Sequence, residues 1–126
     1  MLDSLQHEAG ENNCMSYADF VRIAAFDPHA GYYTKNRVRV GRSPEADFYT
    51  AESLGRVFGK LVSAGAIDLL GSEEVAGQHV FVEIGAEPGK CILEEVNHPF
   101  AEILTLRLGN HLQIPEKAVV FANEWL

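Results

Sequence analysis

The sequence predicts an α/β fold built around a short parallel sheet. A segment of helical periodicity, residues 53–71, precedes the apolar segment HVFVEIG, whose Val-Phe-Val centre is typical of a strand buried on both faces. A glycine-rich turn and two further apolar segments, ILTLRL and AVVFAN, complete the pattern. Strands that alternate with glycine-rich turns and connecting segments indicate an α/β protein.

The N-terminal part is predicted to hold one short helix. Residues 1–14 lack apolar periodicity and are rich in Glu, Asn and Gly, which predicts a flexible arm. Ser16 and Asp19 then form the pattern of a capping box, which marks the start of an amphipathic helix. This helix ends at Asp27-Pro28, because the residue before proline disfavours the helical region.

A small hairpin and a long helix are predicted next. DPHAGYYT has a turn-forming proline and glycine, RVRVG alternates at the period of a half-buried strand, and Lys35-Asn36 can turn the chain between them. The long helix has Thr50 or Ser53 as its predicted N-cap and Gly71 as its terminator. We therefore divide the chain into a flexible arm (1–14), a helix–hairpin–helix region (15–71) and a sheet region (72–126).

Composition and charge narrow the class of protein. The chain has 126 residues, of which 47% are hydrophobic and 22% charged, so it can form a packed core and is not a disordered protein. Its net charge of −8 disfavours a nucleic-acid binder, which must neutralise phosphates. The sequence lacks a run of about 18 apolar residues and a targeting signal at its start, so we expect a cytoplasmic protein with no membrane partner.

The basic residues are unevenly distributed. Seven of the ten lie between Arg22 and Lys60 against four acids, which gives this segment a local charge of 7 − 4 = +3. Two interpretations stay open: a solvated basic face that pairs with the acidic remainder of the fold, or a surface for an anionic ligand or partner.

Metal and thiol chemistry are weakly supported by the sequence. The five histidines have no pairing at ligand spacing, so we expect no metal site. Cys14 and Cys91 are expected to be reduced thiols. Cys91 follows the glycine turn, where a helix N-terminus would lower a thiol pKa and favour a nucleophile; the alternative is a small buried residue.

Three polar or glycine-rich segments follow predicted strands. In VEIGAEPGK, Gly85 and Gly89 can let the backbone approach a nucleotide-like ligand, whereas the middle position is Glu87; an ordinary turn is the alternative. Asn110 and the pair Asn123-Glu124 follow the other two strands, at the edge where open α/β sheets bind ligands. A turn cap is the alternative for Asn110, and surface exposure is the alternative for Asn123-Glu124.

Five segments come in the order found in one known family: SYADFVRIAAFDPHAGYYT, DFYTA, the Phe-Gly of VFGKL, VEIGAEPG and VVFANEWL. The chain resembles the MidA-like family of S-adenosylmethionine (SAM)-dependent methyltransferases, which is related to the mitochondrial protein-arginine methyltransferase of complex I assembly. The resemblance spans 15–126. It implies a partial class I methyltransferase (Rossmann-like) sheet, SAM as cofactor and a protein as substrate.

The resemblance also implies roles for individual residues. Glu83, Gly85 and Gly89 match the acid and glycine positions of the cofactor loop, and Thr50 matches a threonine of the family's N-terminal loop. Asn123 and Glu124 match the Asn-Glu pair at the end of a later strand, on the substrate side.

The chain departs from the family at the cofactor site. Glu87 replaces the middle glycine and would repel the carboxylate of SAM, so we expect weakened or lost binding, which Glu87→Gly would restore if that position alone blocks the site. The strand ILTLRL is either the family's third strand, with the second missing, or the second strand itself, with Asn110 at the position of the ribose-binding acid.

Two hypotheses about function follow. The chain ends at NEWL, where the family continues, so we expect about half of a methyltransferase, inactive by itself, with open sheet edges and an apolar Trp125-Leu126 that favour self-association. The first hypothesis is the N-terminal portion of a SAM-dependent protein methyltransferase. The second is a non-catalytic, methyltransferase-like scaffold or protein-interaction module.

Overall fold

The computed structural model describes residues 2–35, 37 and 39–123. The chain divides into two compact units, Met1–Arg37 and Val38–Leu126. The predicted substrate-side residue Glu124, the terminal Trp125-Leu126, and Asn36 and Val38 of the predicted hairpin lie outside the described residues.

The first unit contains two helices, α1 (Leu2–Ala9) and α2 (Tyr17–Phe26), with a short 3-10 turn after α1. The prediction for α2 is confirmed: the Ser16 hydroxyl accepts a hydrogen bond from the backbone N–H of Asp19 at 3.1 Å, and Asp27 caps the other end. We did not predict α1. None of its residues is buried, and its apolar side chains, Leu2, Leu5 and Ala9, form only a short stripe.

The Asp27 side chain and carbonyl organise the turn that follows α2. Its carboxylate accepts hydrogen bonds from Ser4 Oγ (2.5 Å) and from the backbone N–H groups of His29 (3.0 Å) and Ala30 (2.8 Å). Its carbonyl oxygen accepts from the backbone N–H of Gly31 and from Thr34 Oγ1, at 2.8 and 2.7 Å. The motif DPHAG is therefore a compact turn that closes α2.

The predicted hairpin is wrong for its first strand. The backbone N–H groups of Tyr32 and Tyr33 donate to the carbonyls of Ala24 and Ala25 at 2.9 and 2.8 Å, so α2 takes the donors that a strand ladder would need. In the second unit, Val40 forms an isolated bridge with Phe48.

The second unit begins with helices and continues into the sheet. A 3-10 turn (Ala51–Leu54) precedes the long helix α3 (Arg56–Leu70), and the four-residue helix α4 (Glu73–Ala76) follows it. Gly71 ends α3 with φ +89°, as predicted. The predicted N-caps Thr50 and Ser53 are wrong, because Thr50 precedes the 3-10 turn and Ser53 lies within it; the N-cap of α3 is Gly55, with no side-chain hydrogen bond.

The sheet has three parallel strands, β1 (Val80–Ile84), β2 (Glu102–Leu106) and β3 (Ala118–Ala122), in the order β2-β1-β3. This confirms a small open parallel sheet in an α/β arrangement. Val82 of the central strand pairs with Leu104 on one side and Val120 on the other. Phe81 and Val82 are fully buried, which confirms that β1 is covered on both faces.

One hydrophobic core joins α3, the sheet and the β1–β2 connection. Residues 85–101, all described, form turns in this connection. A Cβ atom placed on Gly59 of α3 would lie 2.2 Å from the carbonyl oxygen of Ile92, so helix and connection are in close contact. The buried members of the core are Ala66, Ala76, Phe81, Ile92, Leu93, Val96 and Phe100.

Candidate functional site at the carboxyl edge of the sheet

The strand order places a topological switch point between β1 and β3 in the second unit. The chain passes from β1 to β2 on one side and then crosses back to β3 on the other side of β1. Adjacent parallel strands whose connections run in opposite directions leave a crevice outside their carboxyl ends, where open α/β sheets bind ligands. This crevice lies between the ends of β1 and β3, so Gly85 and Asn123 flank it.

The loop after β1 has the backbone conformation that glycine favours. Gly85 and Gly89 have φ angles of +80° and +72°, in the left-handed region where side chains are strained. The Gly85 N–H donates to the carbonyl of Leu106 at 2.8 Å, which ties the start of the loop to β2. No atom lies within 4 Å of the position that a Cβ on Gly89 would occupy, so the loop is open there.

Glu83 lies at the base of this loop. Its residue surface is only 4% exposed, and its Oε2 accepts a hydrogen bond from the backbone N–H of Ile92 at 2.9 Å. One carboxylate oxygen thus closes the loop from a buried position. Glu83 holds the loop whether or not it also binds a cofactor.

The Glu87 side chain forms an ion pair with an arginine that the sequence analysis did not select. Arg39 Nη2 donates to Glu87 Oε2 at 3.2 Å, and the two side chains are only 6% and 16% exposed. A partly buried pair of this kind is much less screened than a surface pair. The Glu87 carboxylate is therefore directed at Arg39, and a large part of its charge is compensated within the protein.

A second arginine holds the same loop from the side of β2. Arg107 donates from Nε to the Glu87 carbonyl (3.2 Å), from Nη2 to the Lys90 carbonyl (2.8 Å) and from Nη1 to Thr105 Oγ1 (3.0 Å). Its three acceptors are neutral oxygens. In the loop of residues 85–90, Arg39 thus fixes the Glu87 side chain, and Arg107 fixes the backbone carbonyls of Glu87 and Lys90.

The segment before α3 supplies Arg39 and meets the loop. The Arg39 carbonyl accepts from the backbone N–H groups of Asp47 (2.9 Å) and Phe48 (3.2 Å), which closes the segment on itself. Lys90 Nζ donates to the Val40 carbonyl at 3.4 Å, a second contact between segment and loop. Thr50 is half-buried, and its carbonyl accepts from the backbone N–H and hydroxyl of Ser53 at 3.0 and 2.7 Å.

The two asparagines have different environments. Asn110 is exposed and its Oδ1 accepts from the backbone N–H of Arg107 at 2.8 Å, so it caps the turn after β2, which was the alternative interpretation for this residue. Asn123 is half-buried at the end of β3. The loop after β1 thus brings Glu83, Gly85, Glu87 and Gly89 together, Asn110 joins them through Arg107, and Asn123 lies on the other side of β1.

Sequence analysis missed Arg39 and Arg107. In RVRVG and LTLRL, each arginine alternates with apolar residues, a pattern that predicts an exposed side chain. A cue was available in both segments, because each arginine lies two residues before a glycine, Gly41 or Gly109. That proximity does not identify a partner 48 residues away.

The structure favours the alternative interpretation of Cys91, a small and partly buried residue. Burial raises the pKa of the Cys91 thiol, and the negative charge of Glu83 raises it further. No helix begins at Cys91 to lower this pKa, because the following residues 92–95 form a turn.

The described residues hold neither a candidate metal site nor a candidate membrane-spanning helix. Within residues 2–35, 37 and 39–123, no three His, Cys, Asp or Glu side chains come together as a group that could hold a metal ion. None of the helices in this part of the chain combines the length and the apolar composition needed to cross a membrane.

Comparison with known proteins gave no relative. No family model, no curated protein and no solved structure matches this chain.

Proposed function

We propose that the second unit is the cofactor-binding portion of a SAM-dependent methyltransferase-like protein with a Rossmann-like sheet, acting on a protein substrate. The proposal depends most on one observation: a central parallel strand ends in a loop with two glycines of positive φ, beside the crevice between β1 and β3. The order of motifs that resembles the MidA-like family favours SAM as the ligand.

Two observations bear on whether these residues fit that cofactor. The open space at Gly89 and the positive φ at Gly85 suit the close approach of a ligand to backbone. On the ribose side, the turn after β2 presents Arg107 and the cap Asn110 in place of a carboxylate. The residues therefore fit through the loop and lack one expected contact, so we expect weak binding.

If SAM binds here, it would bring an activated methyl group, and the chain would supply orientation. The loop of residues 85–90 would hold the cofactor, and Asn123 would face the substrate from the end of β3. Orientation of a reactive group against its acceptor is the contribution that a protein makes in such transfers.

Calorimetric titration of SAM and of S-adenosylhomocysteine into the chain tests this proposal. We expect saturable binding with a dissociation constant in the range of about 1 μM to 1 mM, which corresponds to roughly −8 to −4 kcal/mol. Gly89→Val should abolish it, because the side chain would fill the open space at the loop. No heat at millimolar concentrations of either ligand would overturn the proposal.

Gly71→Val is the matched control. Gly71 also has a positive φ, +89°, and no atom within 4 Å of a Cβ, so the substitution brings the same backbone strain. It lies before β1, where the chain enters the sheet at its amino end. We expect this variant to lose stability and keep ligand binding.

One observation favours the scaffold hypothesis: Arg39 and Arg107 of the protein itself already form hydrogen bonds with the loop of residues 85–90. Arg107 directs three donors at neutral oxygens of its own surroundings. If wild type and Glu87→Gly both fail to bind either ligand, the second unit is better described as a methyltransferase-like interaction module.

A further inference from the structure

The structure gives Glu87 a different role from the one its position in the sequence predicts. A carboxylate in the middle of a glycine-rich loop is expected to exclude an anionic group of a ligand. In this chain the carboxylate is 3.2 Å from Arg39 Nη2, and both side chains are largely buried. We propose that Glu87 is a positioning residue, whose ion pair with Arg39 holds the loop of residues 85–90 in the conformation that receives a ligand.

The segment that carries Arg39 fixes the direction of the Glu87 side chain. Arg39 is held in place by its own segment, since its carbonyl accepts two backbone hydrogen bonds, from Asp47 and Phe48. A guanidinium on such a fixed segment gives the Glu87 side chain one defined direction. Lys90 Nζ donates to the carbonyl of Val40, which follows Arg39 in the sequence. The loop therefore contacts this segment at Glu87 and again at Lys90.

The backbone of Glu87 is held independently of its side chain. Its carbonyl accepts from Arg107 Nε at 3.2 Å and also from the backbone N–H of Lys90 at 3.1 Å. The residue is therefore held at its side chain by one arginine and at its backbone by another. A glycine at this position would keep only the backbone contacts, and the loop would gain freedom that a bound ligand would then have to remove.

The charges of Arg39 and Glu87 compensate each other in a largely buried ion pair. Removing one partner of a buried ion pair leaves the other charge without compensation, which disturbs its surroundings more than the loss of a surface pair. Glu87→Gly should therefore weaken ligand binding. This is the opposite of the effect expected if the Glu87 carboxylate blocked the site.

Hydrogen exchange of the backbone amides of residues 85–91, measured without ligand, tests the positioning role. We expect faster exchange in Glu87→Gln and in Arg39→Met, and a smaller effect of Arg39→Met when Glu87 is already Gln, because the contact that the two residues share is then already weakened. The matched control is Glu95→Gln, the same change at an exposed glutamate of the same connection. Unchanged exchange in residues 85–91 of both single variants would overturn the proposal.

If a single variant fails to fold because an unpaired charge stays buried, the double variant Arg39→Met/Glu87→Gln removes both charges. Faster exchange in its loop, with the exchange of β1 preserved, supports the proposal. Wild-type exchange rates in that loop would overturn it.

The ligand part of the inference depends on the proposed function. If S-adenosylhomocysteine binds wild type, we expect Glu87→Gly and Glu87→Gln to bind it about tenfold more weakly or worse, as the loss of a charge-assisted hydrogen bond implies. Tighter binding by Glu87→Gly would overturn the positioning role. If wild type does not bind, the proposed function fails, and the exchange measurement still decides the role of Glu87.

Discussion

The Glu83 carboxylate, near the end of the central strand, accepts a hydrogen bond at 2.9 Å from the backbone N–H of Ile92, nine residues further along the chain. This bond closes the loop after β1 at its base. Because Glu83 is buried, water cannot replace the bond if it is lost. Glu83, which the family resemblance would place at the cofactor, is thus a structural element of the loop.

Glu83→Ala should lower the free energy of unfolding by about 2–3 kcal/mol, since the Ile92 N–H would remain buried without an acceptor. Glu83→Gln should cost about 1 kcal/mol, because its amide oxygen can still accept that bond. Urea denaturation of the two variants measures both values. Equal stability of Glu83→Ala and wild type would show that the bond does not support the loop.

Gly59→Ala should destabilise the second unit by roughly 1–3 kcal/mol. Its Cβ would lie 2.2 Å from the Ile92 carbonyl oxygen and 2.8 Å from a methyl group of Val96, so α3 or the connection must move. Gly65→Ala on the same helix is the control. No atom lies within 4 Å of that Cβ, so Gly65→Ala should stabilise by about 0.5–1 kcal/mol through helix propensity.

Thermal unfolding of both glycine variants separates the two effects. Opposite shifts of Tm are expected for the same chemical change on one helix. A gain in stability for Gly59→Ala would mean that α3 does not pack closely against the β1–β2 connection.

The stability of the first unit should fall in acid through Asp27. Hydrogen bonds from Ser4 and from the backbone N–H groups of His29 and Ala30 lower the pKa of Asp27 from 3.8 to about 2. The folded state thus binds its proton less readily than the unfolded state. The stabilisation is present above the unfolded pKa and is lost as pH falls through the folded value.

Urea midpoints of wild type and Asp27→Asn, taken from about pH 5 down to about pH 2, measure this linkage. We expect the difference between the two proteins to shrink as the pH falls through that window. Asp68→Asn, at an exposed aspartate of α3, is the control and should stay parallel to wild type. A constant difference for Asp27→Asn would contradict the assigned hydrogen bonds.

Cys91 should be alkylated more slowly than Cys14 by iodoacetamide. The thiolate is the reactive form, and burial together with Glu83 raises the pKa of the Cys91 thiol, whereas Cys14 is exposed. The variants Cys14→Ser and Cys91→Ser allow each rate to be followed by mass spectrometry. Comparable rates for the two thiols near pH 8 would contradict the burial of Cys91.

The sequence by itself determined the elements whose signals are local. Ser16 is an N-cap because its hydroxyl accepts from a backbone N–H of the first turn, and Gly71 is a C-cap because a residue without Cβ adopts a positive φ without strain; both are found as predicted. The apolar segments that became β1, β2 and β3 are short and rich in β-branched residues. The glycine loop could be located for the same reason, since positive φ requires little beyond the residue itself.

Only the tertiary structure decided which distant groups meet. Arg39 and Glu87 are separated by 48 residues, and nothing in RVRVG distinguishes the buried Arg39 from an exposed arginine on a strand. The tyrosines of the predicted hairpin turn back onto α2, where the carbonyls of Ala24 and Ala25 accept hydrogen bonds from their backbone N–H groups. Periodicity records which face of an element is apolar, whereas ion pairs and strand neighbours depend on how the elements are arranged, and the packing of the whole chain determines that arrangement.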